Sequence, residues 1–204
     1  MAAQLGFGFD AMLDEQESAH LPADMAEAIP VYRKLIEDHD RAMVAADEKA
    51  AMAIRKEANR LAVKLNGGEI GVLGGPDAPG YVLMRETAAP EGTVPMWGQE
   101  GSFTVDVNGM PARIKIDGML GICQSMSILP GFGAYAVDAE KPCFSETGYR
   151  SFLGLRGDLV PGLTPADFAR SVIEAYIKGE CKGRLRPVKE EYRDRFGMPT
   201  IPSR

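Results

Sequence analysis

From Val31 to Leu65 the chain holds neither glycine nor proline, and its inward-reading positions recur at Tyr32, Ile36, His39, Met43, Ala46, Ala50, Ile54, Ala58, Leu61 and Leu65. Steps of three and four lay such residues along one side of a helix. Ala, Lys, Glu, Arg and Met dominate the intervening positions, and all favour helix. A single helix over this span would run about 50 Å at about 1.5 Å per residue, long for a chain of this size. The alternatives are a bend near "AADEKAA" into a hairpin, or one long helix whose alanine-rich stripe receives a second helix. The absence of a turn residue favours the long helix. Upstream, "LPADMAEAIP" predicts a helix with Pro22 in its first turn and a break or restart at Pro30. Downstream, "NGGEIGVLGGPDAPG" supplies a stop, with Gly67 or Gly68 as C-terminal cap.

From Tyr81 the period shortens to two. "YVLMRET" reads as a short strand. In "GSFTVDVNGMPARIKIDG", Phe103, Val105 and Val107 alternate with Thr104 and Asp106, and Ile114 and Ile116 with Lys115 and Asp117. Asn108-Gly109 lies between the two runs and provides the positive φ angles of a tight hairpin. "GFGAYAVDAE" predicts a further strand. Helix returns at "LTPADFARSVIEAYIKGE": Thr164 is the N-cap, Pro165 and Asp167 occupy the first turn, and Phe168, Val172, Ile173, Tyr176 and Ile177 form a stripe ending at Gly179. "PVKEEYRDRF" predicts another helix.

The fold class expected is therefore α+β: a long N-terminal helix or helical hairpin, a small antiparallel sheet of four or five strands, and a C-terminal helical pair packed on one sheet face. With 204 residues, the chain is long enough to bury a substantial core. It divides into an acidic leader at 1–21, a helical region at 22–66, and the α+β part of the same domain at 67–204.

The net charge of −6 conceals opposite ends: six acidic and no basic residues in 1–30, against eight basic and four acidic in 178–204. No apolar run is long enough to span a membrane, and the leader lacks the basic start of a secretory signal, so a cytoplasmic location is expected. Three cysteines, Cys123, Cys143 and Cys181, without C-x-x-C spacing, argue for reduced thiols over a disulfide framework or a zinc site. With two histidines, His20 and His39, no metal and no cofactor is assigned. The glycines at 67–80 lack the lysine and hydroxyl of a phosphate loop.

Chemistry concentrates in "KPCFSETGYRSFLG", residues 141–154. As an active site it offers Cys143 or Ser145 as nucleophile, Lys141 to lower a thiol pKa, and Glu146 or Tyr149 to move a proton. As a binding site it offers Lys141, Glu146, Tyr149, Arg150 and Ser151 for a partner or an anionic group, since arginine beside hydroxyls suits phosphate or carboxylate. As a tied structural segment, Ser145 and Thr147 cap backbone donors, Gly148 reverses the chain, Tyr149 and Phe152 anchor in the core, and Arg150 holds carbonyls or a carboxylate. The structural account needs the least coincidence. "SETGYRSF" resembles uncharacterised accessory proteins of bacteria and their mobile elements, which implies no function and no residue role.

A second candidate is the basic stretch Lys182, Arg184, Arg186, Lys189 and Arg193, with Tyr192 beside it. One face of a helix here would suit nucleic acid, although Glu190, Glu191 and Asp194 and an isoelectric point near 5.1 oppose a polyanion. Trp97 is expected to be buried at the sheet, and His39 to be a hydrogen-bonded core histidine.

The preferred reading is a non-enzymatic cytoplasmic interaction or regulatory protein. It binds a protein partner through the 141–152 loop and pairs with a second copy through the 31–65 helix. A small enzyme acting on an anionic substrate and a nucleic-acid adaptor are the alternatives.

Overall fold

The computed structural model describes residues 17–121 and 127–193, so Cys123, Arg195, Phe196 and most of the acidic leader lie outside it. The predicted long helix is a hairpin. Helix α1 spans Met25–Val44 and α2 spans Glu48–Leu65, packed on each other. Asp24 caps α1 by accepting the Ala26 and Glu27 amides. Pro22 thus precedes the helix rather than opening it. Pro30 sits within the first two turns of α1 without breaking it.

The hairpin turn uses alanine where glycine is usual. Ala46 adopts φ 57°, the Ala46 amide bonds Met43 O at 3.0 Å and the Asp47 amide bonds Ala42 O at 2.8 Å. These are the two bonds that close a helix through a left-handed residue. Asp47 then caps α2 by accepting the Ala50 amide. Helix α2 ends in the same way with the expected residue: Gly67 has φ 68° and the Gly68 amide bonds Val63 O at 2.9 Å.

Helix α3, Pro79–Glu86, replaces the strand expected at Tyr81. Its apolar run is as consistent with one short buried helix as with a strand, and Pro79 at the first position favours helix. Leu83 and Met84 are buried with Tyr32, Ile36, Ala58 and Leu61 of the hairpin.

Strands β1 (Gly101–Val107), β2 (Met110–Ile116), β3 (Phe132–Ala136) and β4 (Tyr149–Phe152) form one antiparallel sheet in the order β1-β2-β3-β4. Asn108 (φ 56°) and Gly109 (φ 84°) make the predicted tight turn, and the Asp106 carboxylate accepts the Gly109 amide. Phe103, Val105, Val107, Ala112, Ile114, Ile116, Phe132, Ala134, Ala136 and Phe152 are all buried on one face. Helix α4, Pro165–Gly179, packs against β1 and is capped by Thr164 as expected. Its Phe168 meets Trp97 and Phe132, and its Tyr176 meets Phe152. Helix α5 is described over Glu190–Arg193.

Trp97 and His39 join the helical half to the sheet. Both are buried. The Trp97 amide donates to Asp40, and its indole N–H donates to Leu163 O at 2.9 Å. Arg55 Nε donates to His39 Nε2 at 2.9 Å, so the proton of the neutral ring is on Nδ1, which donates to Trp97 O at 3.0 Å. Burial first, and the Arg55 charge beside it, lower the His39 pKa to about 4 despite the Trp97 carbonyl. The apolar stripe of 31–65, on which pairing with a second copy was expected, is largely spent inside the chain.

Candidate functional site

The 141–154 segment is partly a strand. Residues 149–152 are β4, the edge of the sheet, where a loop was expected. Strand pleating sends alternate residues to opposite faces, which separates the candidates. Tyr149 and Ser151 point to the outer face. Arg150 lies on the other side, its guanidinium 4.0 Å from the centre of the Tyr176 ring and 5.7 Å from that of Phe152. It therefore fastens β4 to α4 through aromatic faces rather than through carbonyls or a carboxylate. Phe152 is a core anchor as expected; Tyr149 is 43% exposed and is not.

Residues preceding β4 are tied down. Cys143 and Arg186 exchange backbone bonds at 2.8 and 2.7 Å, and the Lys189 amide bonds Glu146 O at 2.9 Å. Lys189 Nζ lies 2.9 Å from the Glu146 carboxylate and Arg193 lies 3.2 Å from Glu140. Two stretches that sequence reading treated separately, the 141–146 turn and the basic segment, are thus one substructure. Lys189 and Arg193 spend charge on carboxylates, Arg186 faces the Glu180 carbonyl, and Lys182 and Arg184 are exposed. Lys182, Arg184, Arg186 and Lys189 all precede helix α5, so these residues do not line up as one helical face.

Ser145 Oγ accepts the Thr147 amide and pairs with Thr147 Oγ1 at 3.0 Å; Thr147 Oγ1 in turn bonds both backbone groups of Tyr149. This is the capping role expected of the two hydroxyls, and Gly148 at φ 69° makes the reversal. Cys143 is buried, and burial holds its thiol above the ordinary value. Lys141 pairs with Asp138 and does not act on that thiol. Both histidines are engaged in the helical half, His20 with Glu57 and His39 with Trp97 and Arg55.

What the fold assembles instead is the outer face of the sheet. The register aligns Thr104, Arg113, Tyr135 and Tyr149 in one row across all four strands, and Ser102, Lys115, Gly133 and Ser151 in the next. Tyr135 and Tyr149 form a cross-strand pair with ring centres 4.8 Å apart, and Arg113 stands 5.1 Å from the Tyr135 ring. The pair leans over Gly133. A Cβ there would meet a ring carbon of each tyrosine at 3.3 Å, so the missing side chain makes room for the rings. The Tyr135 hydroxyl is held protonated above its usual range, mainly by burial and next by Tyr149.

Two hollows flank this row. One, of about 190 Å³, is lined by Lys115, Asp117, Gly133, Tyr135, Tyr149 and Ser151 among others. The other, of about 260 Å³, includes Glu100, Ser102, Arg113, Lys115 and Tyr135. They share Lys115 and Tyr135, forming a shallow trough with aromatic, basic and acidic walls. Burial raises the Glu100 pKa. Sequence reading named Tyr149 and Ser151 but missed Arg113, Lys115, Gly133 and Tyr135. The polar alternation of the strands was the available signal; which polar residues become neighbours depends on register.

No family model matches the chain, and no solved structure matches it. Among curated proteins it is similar to two from Escherichia coli, each called Protein KlcB. One is 35% identical over 164 residues, 79% of this chain and 34% of that protein. The other is 30% identical over 186 residues, 90% of this chain and 44% of that protein. The chain thus spans between a third and a half of the length of these relatives. No helix among the described residues is long and apolar enough to cross a membrane.

Proposed function

We propose that this chain is a non-enzymatic accessory module of a bacterial mobile element, working in the cytoplasm, that binds a protein partner through the outer face of its sheet. The observation carrying this reading is the row Arg113, Tyr135, Tyr149 with its flanking hollows. Tyrosine brings a large contact area at small entropic cost, and both tyrosine and arginine are enriched in protein interfaces. Mixed charge around the trough, with Lys115 and Arg113 against Glu100 and Asp117, suits a polypeptide surface better than a polyanion. The Escherichia coli relatives support the bacterial setting, and the resemblance of "SETGYRSF" supports the mobile element. Cys143, buried with its thiol pKa raised and without a histidine beside it, supports binding over nucleophilic chemistry.

The test is quantitative capture from the host, comparing the native chain with Arg113→Glu, Tyr149→Ala and the distant surface variant Lys49→Ala. A protein retained by the native chain and Lys49→Ala, and lost from both sheet variants while they stay folded, is the expected result. Retention by all four, or loss of the retained species on nuclease treatment, would defeat the proposal.

A further inference from the structure

A third concavity lies on the helical half and meets the first hollow of the sheet's outer face only at Gly121. On α2, Met52, Arg55, Lys56 and Asn59 fall at i, i+3, i+4 and i+7, one side of the helix. Opposite stand Val72 and Leu73, with Met119 and Leu120 completing a groove of about 610 Å³. That volume lies in the range of small-molecule sites. The wall is fixed: the Gly80 amide bonds Val72 O at 2.9 Å, and a Cβ at Gly80 would lie 2.7 Å from that carbonyl oxygen and 2.9 Å from a Leu73 methyl. The base is fixed as well. Arg55 is buried, with its guanidinium on His39 and on the carbonyls of Ser127 and Ile128, both at 2.7 Å.

Among the described residues the lining has one electrical sign. These contain Arg55 and Lys56 and no carboxylate; Lys56 is exposed, and no bond from its ammonium group to a described residue is present. Burial lowers the Arg55 pKa only to about 10, which leaves it cationic at neutral pH. The remaining walls are predominantly thioether and aliphatic. Such a surface offers an apolar body a place to leave water and an anionic head a cation at the rim.

We infer that this groove is a binding site for an amphipathic anion, an aliphatic or aromatic body carrying a carboxylate or sulfonate, with Lys56 meeting the head group and Val72, Leu73, Met119 and Leu120 covering the body. The inference does not rest on the partner-binding reading, because the groove shares none of the residues of the Arg113–Tyr149 row.

The experiment titrates the full chain with 1-anilinonaphthalene-8-sulfonate and displaces the dye with dodecanoate or its uncharged counterpart dodecanol. Saturable one-to-one binding is expected, with dodecanoate displacing the dye about fivefold more effectively than dodecanol, the ratio that about 1 kcal/mol from one exposed charge contact supplies. Lys56→Glu, an exposed substitution that leaves the urea midpoint in place, weakens dodecanoate by a similar or larger factor. Tyr149→Ala leaves it unchanged, so failure here and failure of partner binding are distinguishable. Non-saturable dye binding, equal displacement by dodecanol, or indifference to Lys56→Glu would overturn the site. So would a tenfold or greater gain in dye affinity on deleting residues 1–16, which would assign the groove to the chain's own acidic, Phe- and Leu-bearing start.

Discussion

The two faces of the sheet are made by the same four strands and obey opposite rules. Facing α4, the side chains are Phe, Val, Ile, Ala and Met, all buried, with Arg150 at the exposed edge laid over Tyr176. Facing outward, residue by residue between them, come Thr104, Arg113, Tyr135 and Tyr149, then Ser102, Lys115, Gly133 and Ser151. The inner face stabilises by removing apolar area from water, roughly 1.5–3 kcal/mol for each large side chain. The outer face retains much of its contact with water, and its members interact in pairs worth a fraction of that. Structure therefore resides on one side of each strand and the recognition proposed above on the other, and the two can be perturbed separately.

The largest effect expected tests the inner side. Ile114 is fully buried between Phe103 and Ala134 in the register, and Ile114→Ala should cost about 2–5 kcal/mol by lost transfer energy and the cavity left behind. Urea unfolding measures it. Its outward neighbour on the same strand, Arg113→Ala, should shift the midpoint by far less. Equal losses at the two positions would break the comparison.

The joint behind the inner face supplies a pH-dependent test. His39 is held neutral between Trp97 O and Arg55, with its pKa lowered from 6.5 to about 4. Below 6.5 the unfolded chain takes a proton that the folded chain refuses until about pH 4. Stability is therefore fully present above 6.5 and declines as the pH falls through this window, by up to about 1.4 kcal/mol per unit. Glu100, whose pKa is raised, works in the opposite sense. The difference between the native chain and His39→Gln isolates the histidine, because Glu100 is common to both. The gap between their stabilities should change from pH 7 to pH 4.5 in favour of the variant. A constant gap would mean that His39 is not held neutral in the core.

Much of this organisation was legible in the chain. Period-two alternation in 101–116, Asn108-Gly109 at the turn, and Thr164-Pro165 opening a helix are local signals, and local geometry decides them. The missed elements are those where local preference is ambiguous or overruled. Ala46 takes a left-handed conformation at a cost of about 1–2 kcal/mol, so the turn carries no glycine; Asp47, a helix-capping residue, was the remaining clue. "YVLMRET" is too short for periodicity to separate helix from strand. Strand β4 is exposed at three of its four positions, hence without alternation to read. The candidate site was least legible. Arg113 and Tyr149 are 36 positions apart in the sequence and share a row only because two strand pairings align them.

The smallest effect concerns the outer face itself and separates a binding surface from a merely stabilising pair. Tyr135 and Tyr149 occupy directly opposed positions on β3 and β4, and such a pair contributes about 0.2–1 kcal/mol. Tyr149→Ala should therefore move the urea midpoint only slightly. A double-mutant cycle with Tyr135→Ala should return a coupling inside that range, since each ring loses its neighbour in either single variant. Partner retention should respond out of proportion, because truncating a central interface aromatic commonly costs about 2 kcal/mol or more of binding. If stability and retention fall together by the same small amount, the tyrosines are sheet fasteners over Gly133 and the recognition surface lies elsewhere. If retention collapses while the midpoint holds, the division of labour between the two faces extends to single side chains.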